Sequence, residues 1–107
     1  MLLAWFALAA AIASEIAGTL ALKSASGGSA SAVGLVVVGY ATSFALMFVV
    51  LRRIDVSIAY AVWAGTGTAV IALVGMVALG EPMTAIKVAS IALVIAGVVG
   101  LNLGGAH

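Results

Sequence analysis

Cysteine is absent from the 107 residues, so disulfides and thiolate metal sites are excluded, and the redox compartment is left open. Histidine occurs once, as His107, and one terminal imidazole cannot anchor a metal cluster. Neither a metal nor a cofactor is expected. Charge is scarce: four Lys or Arg and three Asp or Glu give a net charge of +1. That leaves no basic field for nucleic acid. No GxxxxGK[ST] run is present, which excludes nucleotide drive on this chain. The chain is not read as an enzyme.

Apolar residues make up 66% of the sequence, at a mean hydropathy of +1.43. A soluble domain of this size could not hide that much oil. A membrane protein is therefore expected. The N-terminal stretch does not read as a signal peptide: it lacks a basic leader, and Glu15 interrupts the apolar run. It is read as a retained span.

Four apolar stretches cover about 2–22, 33–51, 56–79 and 84–104, and form one transmembrane domain over 1–107. Each approaches the roughly 20 residues that cross a bilayer as helix. Lipid offers the backbone no partner, so helices are expected. The runs are continuous rather than alternating, which disfavours a barrel. The fold class is thus an all-α membrane protein of four transmembrane helices. The breaks carry turn chemistry: "KSASGGSAS" at 23–31 reads as a flexible loop, "RRID" at 52–55 as a turn, and "GEP" at 80–82 as a glycine stop followed by the only proline. Short breaks should make consecutive helices antiparallel neighbours. No internal repeat is evident.

Orientation is unbiased. Arg52 and Arg53 fall on one side of the membrane, Lys23 and Lys87 on the other. The positive-inside rule gives no preference, which permits both orientations and hence an antiparallel pair.

The sharpest signal is Glu15, alone inside "LLAWFALAAAIASEIAGTLAL". A carboxylate at the centre of a membrane helix costs roughly 2.5–3.5 kcal/mol on insertion scales. It must face protein or a water-filled cavity. At 3.6 residues per turn its face runs Ala4, Leu8, Ala11, Glu15, Gly18, Thr19 and Leu22. Ala11, Gly18 and Thr19 are small and leave room beside the acid. Neutralisation by Lys23 is the bland alternative, but Lys23 lies about 12 Å further along the helix and would snorkel away. Glu15 is therefore read as a functional acid able to exchange a proton.

Tyr60 and Trp63 are spaced i, i+3. Trp63 lies about 11 Å into its segment, deep for an interfacial belt. Rings lining a cavity could hold an organic cation. Tyr40 is a further candidate, with packing as its alternative, and Trp5 and Phe6 read as belt residues. Gly65 and Gly67 would let the third helix bend, or else pack closely. Ala96, Gly100 and Gly104, beside Gly97, form a small-residue row suited to dimer packing. Asn102 could cap or cross an interface. Arg52, Arg53, Asp55, Glu81 and Lys87 lie at predicted membrane edges and read as solvated or snorkelled.

Together these stretches resemble the small multidrug resistance family of bacterial four-helix transporters. The resemblance runs through "SEIAGTLALK", "GYATSF" with Tyr40, Ser43 and Phe44, "IAYAVWAGTG" at 58–67, and "AGVVGLNL". It implies a multi-pass protein of the bacterial plasma membrane that works as an antiparallel, dual-topology homodimer and exchanges protons for small cationic compounds. It places the essential acid at Glu15, the cavity aromatics at Tyr40, Tyr60 and Trp63, and flexible glycines at Gly65 and Gly67. The family's dimer motif matches at Gly97 but has Ser90 where glycine is usual. The "SASGGSAS" loop departs from the acidic, aromatic-rich loop of many members, and Ala64 from the usual Ser or Thr. Gly18 and Thr19 after the acid favour the exporters of lipophilic and quaternary ammonium drugs. The "GEP" run resembles guanidinium exporters, the alternative subtype. A non-transporting assembly subunit is the alternative of another class.

Overall fold

The structure, a computed structural model, describes residues 2–105. His107 lies outside the described residues. Four helices follow in order: α1 (Leu2–Ser26), α2 (Ala30–Val50), α3 (Val56–Ala78) and α4 (Ala85–Gly105). All four are long and apolar enough to cross a membrane, and no strand occurs among the described residues.

The first connection is tighter than its Gly/Ser composition suggests. Residues 23–26 continue α1, and the Ser26 hydroxyl donates to the Lys23 carbonyl at 2.7 Å. A serine that bonds its own helix need not unravel it. The break narrows to 27–29, where Gly28 turns the chain at φ +99° and Ser29 caps α2 by accepting from the Ala32 amide at 3.2 Å. The second connection is pinned by Ile54. Its amide donates to the Val50 carbonyl at 3.0 Å, and its side chain is buried. The third begins at Gly80, with φ +69°, and ends at Thr84, whose hydroxyl accepts from the Lys87 amide at 3.1 Å.

Packing departs from a simple sequential bundle. α1 packs along α2 and also against α3, and α4 packs on α3. α2 and α3 are joined by a short turn and meet through side chains rather than by close backbone approach. The α1–α2 approach depends on Gly39: a Cβ there would lie 2.8 Å from the Ser14 carbonyl oxygen and 3.0 Å from the Gly18 Cα. The apolar core gathers at one end, from Ala4, Leu8 and Ala11 of α1, Met47 and Val50 of α2, Ile54, and Ile58 and Ala59 of α3. Trp5 packs against this cluster, whereas Phe6 points outward. The α1 stripe read from periodicity is buried at Ala4, Leu8, Ala11 and Gly18, but Leu22 is exposed.

The molecule measures 43 × 34 × 16 Å. The shortest dimension is less than half of either of the others, so the molecule is flattened. α4 contributes no buried residue to the core.

The Gly39 contact is backbone on backbone, so no side chain can swing aside. Gly39→Val is expected to cost roughly 1–3 kcal/mol of stability, in the range of overpacked cores. Gly34 has nothing within 4 Å of a built Cβ, so Gly34→Ala should melt like the parent. Thermal unfolding in detergent compares the two.

Candidate functional site

Glu15 is half-buried on α1, where it meets α3. A Cβ on Gly67 would lie 3.3 Å from its Oε2 and 3.4 Å from its Oε1. The carboxylate therefore rests on the bare face of a glycine. Its Oε2 is shielded from solvent and has no hydrogen-bond partner. The hydroxyls around it are committed elsewhere. Thr19 Oγ1 and Tyr40 Oη share a 2.8 Å hydrogen bond, Ser14 donates to the Ala10 carbonyl at 2.8 Å, and Thr68 donates to the Ala64 carbonyl at 2.7 Å. The acid opens on a cavity of about 330 Å³ lined by Glu15, Thr19, Gly67, Thr68, Ile71, Ala72, Glu81 and Lys87.

A second group of predicted residues is joined by a polar relay. Ser43, fully buried on α2, donates to the Ala11 carbonyl at 2.7 Å and accepts from Trp63 Nε1 at 3.1 Å. This relay satisfies the indole and binds α1, α2 and α3 together at the depth of Ala11. The Trp63 ring meets Phe44 edge to face and Tyr60 at a tilt, each with centroids 5.6 Å apart. Tyr60 itself is 58% exposed. It lines a broad groove between α3 and α4 that also includes Gly65, Thr68 and Gly97.

The structure thus draws the expected site residues into two neighbouring sets. Glu15, Thr19 and Gly67 line the acid cavity. Ala11, Ser43, Tyr60 and Trp63 belong to the aromatic side. Gly18 and Tyr40 lie between them: the Tyr40 ring fills the space beside Gly18, with Cδ1 at 3.1 Å from a built Cβ. α3 stays helical through Gly65 and Gly67. Gly65 faces Val98 and Val94 of α4. On α4, Ser90, Ala96, Gly97, Gly100 and Gly104 bury nothing within the chain, and the three glycines have open space beside them. Asn102 donates to the Val98 carbonyl of its own helix at 3.0 Å.

Four residues of the site were not singled out by sequence reasoning. Glu81 and Lys87 were placed at the membrane edge but line the same cavity as Glu15. Thr68 shares the lining. Gly39, through Gly18, fixes how closely α1 and α2 approach. Only the count of membrane charges could have flagged Glu81 and Lys87, because their turn folds back in three dimensions.

Comparison with known proteins agrees with this architecture. A family model described as Small Multidrug Resistance protein matches residues 3–94. The chain is 43% identical over 102 residues to multidrug resistance protein mmr of Mycolicibacterium paratuberculosis, covering 94% of this chain and 95% of that one. It is 44% identical to multidrug resistance protein EbrB of Bacillus subtilis, covering 94% and 86%. It is 37% identical to quaternary ammonium compound-resistance protein QacE of Escherichia coli, covering 92% and 91%. With identity at this level over most of each chain, this multi-pass membrane protein is a transporter rather than an enzyme, and it belongs to the small multidrug resistance family.

Proposed function

We propose that the protein exports lipophilic and quaternary ammonium cations in exchange for protons, and that Glu15 binds proton and cation in mutually exclusive fashion. The observation that carries this reading is the Glu15 carboxylate, whose shielded Oε2 lacks a protein partner and which lines a cavity between α1, α3 and the α3–α4 turn. An unpaired acid there retains its cost only if an exchangeable ligand offsets it. A proton and an organic cation both satisfy that requirement, and they compete for the same two oxygens. The relatives named for multidrug and quaternary ammonium resistance support cationic drugs over guanidinium compounds as the substrate class.

The functional unit in this reading is an antiparallel homodimer. The balanced Lys/Arg distribution allows both orientations. The small-residue face of α4, open in the single chain, supplies the contact through Ser90, Ala96, Gly97, Gly100 and Gly104. One Glu15 from each protomer then faces a shared chamber, and the two titrate as a coupled pair. Tyr40, Tyr60 and Trp63 present rings to the bound cation. Gly65 and Gly67 give α3 its freedom to bend as the chamber changes sides. Because the protomers are identical, exchanging their conformations regenerates the same structure facing the other way.

Four outcomes are expected. In detergent, tetraphenylphosphonium binds the wild type and is displaced as pH falls, because protons take the same oxygens. Glu15→Gln should still insert and dimerise but lose that pH-dependent binding; export at the wild-type rate by this variant would refute the mechanism. Gly18→Trp drives a large ring into the space held by Tyr40 and should abolish binding of tetraphenylphosphonium and ethidium, as read by fluorescence and calorimetry. Two lysines added to the 52–55 turn should fix the orientation and leave the variant inactive alone. Co-expression with an oppositely fixed variant should restore efflux, and full activity of the first variant by itself would rule out antiparallel pairing.

A further inference from the structure

A separate cavity lies where the first turn of α1 meets the last turn of α2. It measures about 230 Å³ and is lined by Leu3, Ala4, Val49, Arg52 and Arg53. Its floor is packed: Ala4 and Val50 are buried in the core, and buried Ile54 anchors the turn beyond. The turn itself is bonded. The Arg52 amide donates to the Val49 carbonyl at 3.2 Å, and the Arg53 amide to the Val50 carbonyl at 3.0 Å. Both guanidiniums are thus carried on ordered backbone at the end of two spans, which is headgroup depth in a bilayer. The Arg52 guanidinium lies 5.3 Å from the centroid of the exposed Phe48 ring, a contact that steadies the charge without neutralising it. Among the described residues neither arginine forms an ion pair, with Asp55 or any other acid. The other two cations differ. Lys87 Nζ donates to the Pro82 carbonyl at 3.1 Å, and Lys23 is a single charge in the last turn of α1.

We propose that this cavity binds the headgroup of an anionic phospholipid, one lipid to each protomer. The lining has two halves. Two neighbouring guanidiniums match the oxygens of a phosphate, which each can grip through paired N–H bonds. The apolar wall of Leu3 and Val49, beside the Phe48 ring, suits the glycerol and first methylenes of an acyl chain. A soluble anion would use only the first half, whereas a lipid uses both. Basic pockets between membrane helices select anionic headgroups in this way. A zwitterionic lipid offers the same phosphate but brings its own ammonium, which two arginines repel. Neither Glu15 nor any residue of α4 lines the cavity. Pairing through α4 therefore leaves it open, and the inference stands apart from the cation mechanism. In an antiparallel pair one site falls on each face of the membrane, and in a parallel pair both fall on one.

The test is native mass spectrometry of the delipidated protein, titrated with phosphatidylglycerol or with phosphatidylcholine of the same acyl chains. The wild type should prefer phosphatidylglycerol and saturate at one lipid per protomer. Arg52→Gln and Arg53→Gln should each weaken phosphatidylglycerol by roughly fivefold, the share of one basic residue at a membrane surface, and phosphatidylcholine by less. Changing both arginines to lysine keeps the charge but loses the fork, so only part of the preference should remain. Val49→Trp keeps both arginines but fills the cavity, and should weaken phosphatidylglycerol as well. Lys23→Gln removes the same charge from the other membrane edge and should change neither lipid. Equal binding of the two lipids by the wild type would overturn the site. So would a loss in Lys23→Gln as large as in the arginine variants, or wild-type binding by Arg52→Gln, Arg53→Gln and Val49→Trp. Displacement of phosphatidylglycerol by millimolar inorganic phosphate would overturn the lipid assignment and leave a plain anion site.

Discussion

One buried carboxylate without a protein partner constrains the chain around it. The site is not short of hydroxyls. Thr19, Ser14 and Thr68 all lie near Glu15 in sequence or in space, and each is engaged with Tyr40 or a helix carbonyl. A structure built only for stability would turn one of these toward the acid, since a buried acceptor left unbonded costs about 1–3 kcal/mol. Here Ser14 and Thr68 donate to helix carbonyls and Thr19 pairs with Tyr40, while the Glu15 Oε2 is left without a partner. Gly67 contributes by omission: its missing side chain lets α1 and α3 close over the acid without covering it.

The same economy leaves the single chain incomplete. Its core lies at one end, around Leu8, Val50 and Ile58, while α4 rests on α3 and buries nothing of its own. In water such a slab would aggregate. In a bilayer, lipid covers the apolar surface at little cost, and helix association depends on close backbone approach instead. α1 and α2 satisfy that requirement inside the chain through Gly18 and Gly39. The α4 glycines present the same device on a face that no part of the chain covers.

Much of this was legible in the sequence because membrane physics leaves few alternatives. Continuous apolar runs dictated four helices, and a lone acid in the first of them marked the candidate site. The helical period picked out the inward stripe from Ala4 to Gly18. The less legible features depend on tertiary contact. Composition made 23–31 look like a loop, but the hydroxyls of Ser26 and Ser29 extend or cap the helices on either side. Short connections suggested that α2 and α3 would be neighbours, whereas α1 packs against both. Gly18 read as empty space beside the acid, and the structure fills that space with Tyr40. No local pattern could show that Glu81 and Lys87 return to the cavity, because the turn that carries them is specified only by Gly80 and by the fit of Glu81 against Gly75.

That fit gives α3 a particular place in the packing. Gly67 and Gly75 are eight residues apart, about 12 Å along the helix and near one face of it. Each is bare where a carboxylate lies on it, Glu15 from α1 in one case and Glu81 from the α4 side in the other. A third glycine, Gly65, takes the valines of α4. Side chains at these positions would hold the acids away from α3 and from the cavity between them. The spacing of the two acids is therefore set by the curvature of a single helix. The bend proposed at Gly65 and Gly67 would therefore change the distance between the two acids.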